Sequence, residues 1–259
     1  MSHFARPTFA LCQRELVRFL RQRNRVIGAF ATPIVFWLLI GGGMGRSFVA
    51  PGADGYLGYF FPGTILMILL FTAIFSTISV IEDRREGFLQ GVLVAPVGRG
   101  AIVAGKVLGG TILATGQAML FLLLGWITGV VSLSIATSIA TIGAMCVISV
   151  GLTALGLCIA WPMSSTQGFH AIMNLFLMPM WMLSGALFPI RDDSPRILRA
   201  VMLANPLHWG LDLLRKLMAP VAPVLRDIVP SLAITAVFAA GMVCLAILIA
   251  RRRIANDLV

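Results

Sequence analysis

Six apolar runs, each close to the length of a membrane crossing, are strung along this chain, with short charged stretches between them. They cover residues 26–44, 58–81, 107–131, 136–161, 169–189 and 230–250. A spanning helix needs about 20 mostly apolar residues, so the pattern predicts an all-α, polytopic membrane protein of about six helices. Ahead of the first run the pattern is different. Phe9, Cys12, Leu16, Phe19 and Leu20 recur at helical spacing, while Arg14, Arg18, Arg21 and Arg25 follow i, i+4, i+7, i+11. At roughly 100° per residue the two sets fall on opposite faces. Residues 1–25 therefore read as an amphipathic helix in the membrane interface, its arginines toward headgroups and water. A soluble amphipathic helix packed on a neighbouring domain has the same pattern.

Two further segments break the rhythm. Between spans five and six, 190–229 is long and mixed; its apolar pieces, 201–203 and 209–217, are too short to cross, and Asn205, Pro206 and Pro220 interrupt it. One or two short re-entrant or interfacial helices are expected there. The loop 82–106 opens on charged residues and then places Phe88, Leu89, Val92 and Leu93 on one helical stripe, which Pro96 ends. A short helix slung between two spans can seat in a groove on a partner and pass on its movement. It can equally rest on lipid headgroups. The residues alone leave these two readings open.

Composition agrees with lipid as the solvent. Of 259 residues, 59% are hydrophobic and 12% charged, about half the charged share of a soluble domain. The net charge is +10, but its cations sit between apolar runs and not along a solvated face, which argues against nucleic acid. If the N-terminus, 82–106 and the tail 251–259 share one side, that side holds 13 of the 20 Lys and Arg. The positive-inside rule then puts both termini in the cytoplasm, and a bacterial inner membrane is the expected location. Tyr56, Tyr59, Phe60 and Phe61 are expected to form an outer aromatic belt. Cleavage after Ala50 or Ala53 would place Phe48 or Pro51 where a signal peptidase needs a small residue, so the first span is expected to be retained.

Candidate chemistry is sparse. Cys12, Cys146, Cys158 and Cys244 show no ligand spacing. Gly100 to Lys106 matches most of a phosphate loop, yet Val107 stands where Ser or Thr would hold Mg²⁺, and the segment opens a span. The chain is expected to carry no catalytic group, metal or cofactor of its own. His170, Asn174 and Met178 in span five are candidates for a substrate path; helix–helix hydrogen bonding and plain packing are the bland alternatives. No Asp or Glu stands at the middle of a span, which argues against an ion-coupled carrier. Gly105-x₃-Gly109 and Gly125-x₃-Gly129 permit close helix approach, without naming what approaches.

The loop reads Arg85-Glu86-Gly87-Phe88-Leu89, then Leu93-Val94-Ala95-Pro96, Arg99 and Gly105-Lys106. It is preceded by Phe60-Phe61-Pro62-Gly63 and followed by Ser184-Gly185-Ala186-Leu187-Phe188-Pro189 and Asn205-Pro206. In this order the landmarks resemble the ABC-2 type exporter permeases, especially the drug-exporter and nodulation-exporter-like group. Gln90 and Gly91 depart from the family's charged or bulkier pair, and a helical glycine costs about 1 kcal/mol relative to alanine. The resemblance implies a single transmembrane domain, a homodimer or a pairing with a close homologue, and two copies of a separate cytoplasmic ABC ATPase subunit holding ATP and Mg²⁺. It further implies that Arg85, Glu86, Gly87, Phe88, Leu89, Leu93, Pro96 and Arg99 belong to the coupling helix. The N-terminal helix is expected to touch both membrane lipid and the ATPase. The resulting expectation is the permease of an ATP-driven exporter of a small amphiphile, drug, lipid or glycan. An ATP-independent carrier or channel, or a non-transporting scaffold, is the alternative.

Overall fold

The computed structural model describes residues 2–44, 55–94, 97–189, 195–219 and 224–252. The candidate cleavage sites, Pro96, Pro220 and most of the tail lie outside the described residues, as does the side chain of Arg25. The described residues form helices and turns without strands. In order the helices are α1 (Ser2–Arg21), α2 (Arg23–Met44), α3 (Tyr56–Ser76), α4 (Ile78–Arg85), α5 (Phe88–Val94), α6 (Arg99–Ile127), α7 (Ile135–Ala160), α8 (Thr166–Trp181), α9 (Arg196–Ala204), α10 (Pro206–Leu217) and α11 (Leu225–Arg251). Five helical stretches are long and apolar enough to cross a membrane: Tyr56–Arg85, Arg99–Ile127, Ile135–Ala160, Thr166–Ala186 and Leu225–Arg251. The remaining predicted span lies on α2, whose described apolar stretch is the shorter Ala31–Gly43.

The spans differ widely in burial, from Tyr56–Arg85 at the centre to Leu225–Arg251 at the outside. A helix that is apolar all round belongs at the centre of a bundle, and α3 is buried along nearly its whole length. It packs against α2, α6, α7 and α10. Helix α11 covers α7 on the outside and leaves Val229, Val237 and Leu248 exposed. In lipid those side chains face a solvent as apolar as themselves.

Tyr56, Phe60 and Phe61 are fully buried, so the expected aromatic belt is instead an internal aromatic core. Phe61 stacks on Phe121 at 4.7 Å and meets Trp37 edge-on. The hydroxyls explain why tyrosine fits there: Tyr56 donates to the Leu187 carbonyl and Tyr59 to the Gly185 carbonyl, both at 2.9 Å. Those carbonyls are available because α8 continues into a π-helical turn, Met182–Ala186, which ends where Gly185 adopts a φ of 93°. Only glycine enters that left-handed region without a steric cost. Trp181 closes the same junction, its Nε1 donating to the Gly63 carbonyl at 2.9 Å. Sequence landmarks more than 100 residues apart thus meet at one point.

The segment between spans five and six forms two short helices. Asn205 caps α10 by accepting from the Leu207 amide at 3.0 Å, ties back to the Met180 carbonyl at 2.6 Å, and leaves Pro206 in the first turn, where no amide is needed. One face of α10, with Leu207, Leu211 and Leu214, is buried. Helix α9 buries only Met202.

Candidate functional site

At the end of the bundle opposite the aromatic core, α1, the end of α11 and the described residues of 82–106 come together. Arg84 at the end of α4 donates to the Trp161 and Met163 carbonyls at 2.6 and 2.9 Å. Arg99 at the start of α6 donates to the Ala250 carbonyl at 2.6 Å. Arg99 is therefore a tie to the last span.

The charged opening of the 82–106 segment is the last turn of span two and not part of the short helix. Helix α4 ends as Gly87 turns at a φ of 76° and α5 begins one residue later. The stripe expected to seat in a partner folds onto the protein's own bundle. Leu89 is buried, with Phe88, Val92 and Leu93 packed beside it against a cluster containing Leu11, Ile102 and Trp161. With Leu89 buried and Phe88, Val92 and Leu93 half-buried, the outward surface is a different one: Arg85, Glu86, Gly87, Gly91 and the 88% exposed Val94. A shallow apolar hollow of about 350 Å³ separates this helix from α1 and is lined by Pro7, Ala10, Phe88, Gly91 and Val97.

Helix α1 runs alongside the first turns of α6 in the same direction. Gly105 and Gly109 make this possible: a Cβ on Gly105 would stand 2.9 Å from the Thr8 carbonyl oxygen, and one on Gly109 would stand 2.9 Å from the Glu15 Cβ. Helix α6 has 29 residues, about 44 Å at 1.5 Å per residue, while the hydrocarbon core is about 30 Å thick. The helix is therefore longer than one crossing needs, and α1 lies against its first turns.

This seating corrects the arginine stripe. Arg14 and Arg18 turn away from headgroups toward Asp83 on α4. Arg14 grips both carboxylate oxygens, at 3.0 and 2.7 Å, and Arg18 donates to one of them at 2.7 Å. Arg18 also reaches Glu82 at 3.0 Å and Glu86 at 3.1 Å. Arg21 is exposed. Burial draws the Arg14 guanidinium down, but its bond to Asp83 and the fields of Asp83, Glu15 and Glu86 raise it above the ordinary arginine range. Its charge is permanent.

Lys106 on α6 completes the cluster, contacting Glu15 and Asp83 at 2.5 Å each and Ser79 at 3.0 Å. Lys106, Glu15 and Asp83 are 4%, 6% and 1% exposed. Read from sequence, Lys106 is a loop cation and Glu15 has no role. Gly105-x₃-Gly109 on the chain beside Lys106 is the one signal that marks this seat.

A second feature lies between α2, α3 and α8, a cavity of about 710 Å³. His170, Asn174 and Met178 all line it, with Phe71, Phe75 and Thr72 opposite. The His170 and Phe75 rings are 5.2 Å apart. The wall is mostly apolar with a few convergent polar groups, the usual make-up of a small-molecule site. Among the described residues, no group of His, Cys, Asp or Glu could hold a metal ion.

The sequence model of the ABC-2 type transporter family matches residues 6–219, a stretch that includes most of α1, all of α5, the charge cluster and the cavity. The chain belongs to the ABC-2 type transporter family. It is a membrane transport subunit, and membership implies work with an ABC ATPase partner. It is 23% identical over 216 residues to the putative transport permease ycf38 of Cyanophora paradoxa, covering 82% of this chain and 74% of that one. It is 29% identical over 175 residues to the probable multidrug ABC transporter permease YbhR of Escherichia coli (strain K12), covering 66% of this chain and only 46% of that protein. Nodulation protein J of Rhizobium leguminosarum bv. viciae is 25% identical over 199 residues, 74% of each. Set against the family, the structure places all eight proposed coupling-helix positions except Pro96 at one end of the bundle. It spreads them over α4, the Glu86–Gly87 turn, α5 and α6.

Proposed function

We propose that this ABC-2 protein is the permease of an ATP-driven exporter in a bacterial cytoplasmic membrane, with both termini and α5 in the cytoplasm. The observation that carries the reading is α5. It is a seven-residue helix held at the positively charged end of the bundle between spans two and three, with Glu86, Gly91 and Val94 turned outward. Exposed Val94 at the end of α5, exposed Glu86 on the turn before it and the shallow apolar hollow together offer a surface to a protein partner. In this reading two copies of the chain pair with two ATPase subunits, which hold ATP and Mg²⁺. The second copy covers the cavity beside α8, where Leu175 and Phe176 are exposed. Phe9 and Leu20, also exposed on α1, enter the inner leaflet.

The cavity supports a small amphiphile as cargo. Its aromatic and methionine walls accept an apolar body, and His170, Asn174 and Thr72 offer hydrogen bonds to a polar end. The multidrug label of YbhR fits such a cargo.

The test is assembly. Co-expressed with its ATPase subunit, the chain should purify as a complex. Glu86→Lys with Val94→Asp should weaken that complex at least tenfold, about 1.4 kcal/mol, in a titration of labelled ATPase. Exposed Ile135, on α7 at the other end, should tolerate substitution to Asp far better in the same titration. Flux by the purified chain in ATP-free liposomes, driven by a gradient, would instead establish a carrier or channel.

A further inference from the structure

We infer that the buried charge cluster of Lys106, Asp83, Glu15 and Arg14 is the joint through which movement of α5 reaches the spans, a role that rests on the exporter reading. The contacts form one continuous chain across four elements. The Arg14 guanidinium lies 3.7 Å from the centre of the Phe88 ring on α5. The same guanidinium holds Asp83 on α4 with two bonds. Asp83 in turn takes the ammonium of Lys106 on α6, and that ammonium returns to Glu15 on α1. A displacement of Phe88 therefore acts directly on Arg14, as well as on the apolar cluster beside it. Arg14 hands that displacement to Asp83 at the end of span two, and Asp83 to Lys106 at the start of span three.

Chemistry and packing make this a joint and not a loose surface pairing. Exposed ion pairs are held weakly because both partners retain water. Here Asp83, Lys106 and Glu15 are almost wholly withdrawn from solvent, so separating any two leaves a bare charge in a poorly hydrated place. Such a cluster has one low-energy arrangement and moves as a body. The fit is reinforced at Gly105 and Gly109, where α1 approaches α6 too closely for any side chain. Along the backbone, α4 and α5 are joined through Glu86 and the left-handed Gly87. The segment thus has a pivot on one side of Phe88 and a rigid block on the other. Lys106, Asp83, Glu15 and Arg14 are positioning residues; none of them touches the cavity wall as described.

The experiment uses spin labels at Arg6→Cys on α1 and Leu120→Cys on α6, both exposed, in a chain whose four cysteines are replaced by alanine. The variants are Lys106→Met and the double change Glu15→Gln with Lys106→Met. The single variant strands a buried carboxylate and is expected to melt earlier. The double variant removes both charges and should recover most of that loss. In the chain alone, the parent should give one narrow distance distribution and the double variant at least a twofold broader one. In the complex with its ATPase, vanadate trapping after ATP should leave the parent distance unchanged and split that of the double variant, with ATP hydrolysis altered less than twofold. A purely structural role would be satisfied once melting recovers. Narrow, unchanged distances in the double variant, alone or trapped, would overturn the joint. A broadened distance in the chain alone, with no complex formed by any ATPase, would sink the exporter reading and the transmission role together, while leaving α1 and α6 shown to be locked.

Discussion

Asp83→Ala should lower the stability of the purified chain by about 3–5 kcal/mol, the range seen when one partner of a buried ion pair is removed. Asp83 is 1% exposed, and three cations converge on its two oxygens: Arg14 with both guanidinium nitrogens, Arg18 with one, and Lys106. Truncation leaves Lys106 with only Glu15 and Ser79 in a site that water does not reach. It also frees Arg14 and Arg18, but these are 29% and 21% exposed and can recover hydration. The loss is therefore concentrated on Lys106. Asp83→Asn keeps the shape and one acceptor oxygen, so it should lose clearly less than Ala. Both are read as shifts in the unfolding midpoint in mild detergent. Equal loss for Ala and Asn would show that charge, and not packing or geometry, carries the whole effect; a loss under about 1 kcal/mol for either would mean the cluster behaves as a surface pair.

The same residues show why only part of this molecule was legible beforehand. The spans announce themselves because lipid imposes both a length and a composition on every crossing. Short helices such as α10 announce their starts through local chemistry, as Asn205-Pro206 does. Meetings between distant residues carry no such mark. Lys106 and Asp83 are 23 positions apart, and Lys106 and Glu15 are 91 apart; nothing periodic links them. The same limit applies to Arg14 and Arg18. Helical spacing fixes that they share a face, but which way that face turns depends on whether an acid waits there, and Asp83 does.

The stripe on α5 follows the same rule. Phe88, Leu89, Val92 and Leu93 were legible as one apolar face. Whether that face seats in a partner or in the protein's own bundle is decided by α1, whose Leu11 reaches it. The tyrosines at the start of α3 have the character of interface residues, with an apolar body and a polar tip. They are internal because the π-helical turn after α8 offers them carbonyls within the bundle. That turn depends on Gly185, which any reading could name but none could fold.

Gly110→Leu should leave little folded protein, and a graded series at this position separates packing from helix propensity. A Cβ here would lie 2.5 Å from Ser76 Oγ on α3 and 2.5 Å from Thr153 Cγ2 on α7. Neither neighbour gives way freely: Ser76 is held to the Ala73 carbonyl at 2.7 Å and Thr153 to the Ser149 carbonyl at 2.7 Å. Nearby, a Cβ on Gly156 of α7 would lie 2.9 Å from Thr77 Oγ1 and 3.1 Å from the Ile74 Cα, so α3 packs closely on a glycine of α6 and on one of α7. Overpacking a full core costs about 1–3 kcal/mol for added methylenes, and a leucine side chain adds more, so a loss above about 3 kcal/mol is expected. Gly110→Ala should already destabilise. The comparison that gives the sign its meaning is Gly116, on the same helix but with nothing within 4 Å of a Cβ. There alanine should stabilise, by up to about 1 kcal/mol, because it lacks only the backbone freedom of glycine. Opposite signs at Gly110 and Gly116, measured by unfolding midpoint, follow if helix contact governs; the same sign at both would mean that α6 does not pack on α3 and α7 as described. Because Gly110 lies one turn beyond Lys106, any variant that moves α6 there must also disturb the buried charges, and the spin-label distance between α1 and α6 should shift with it.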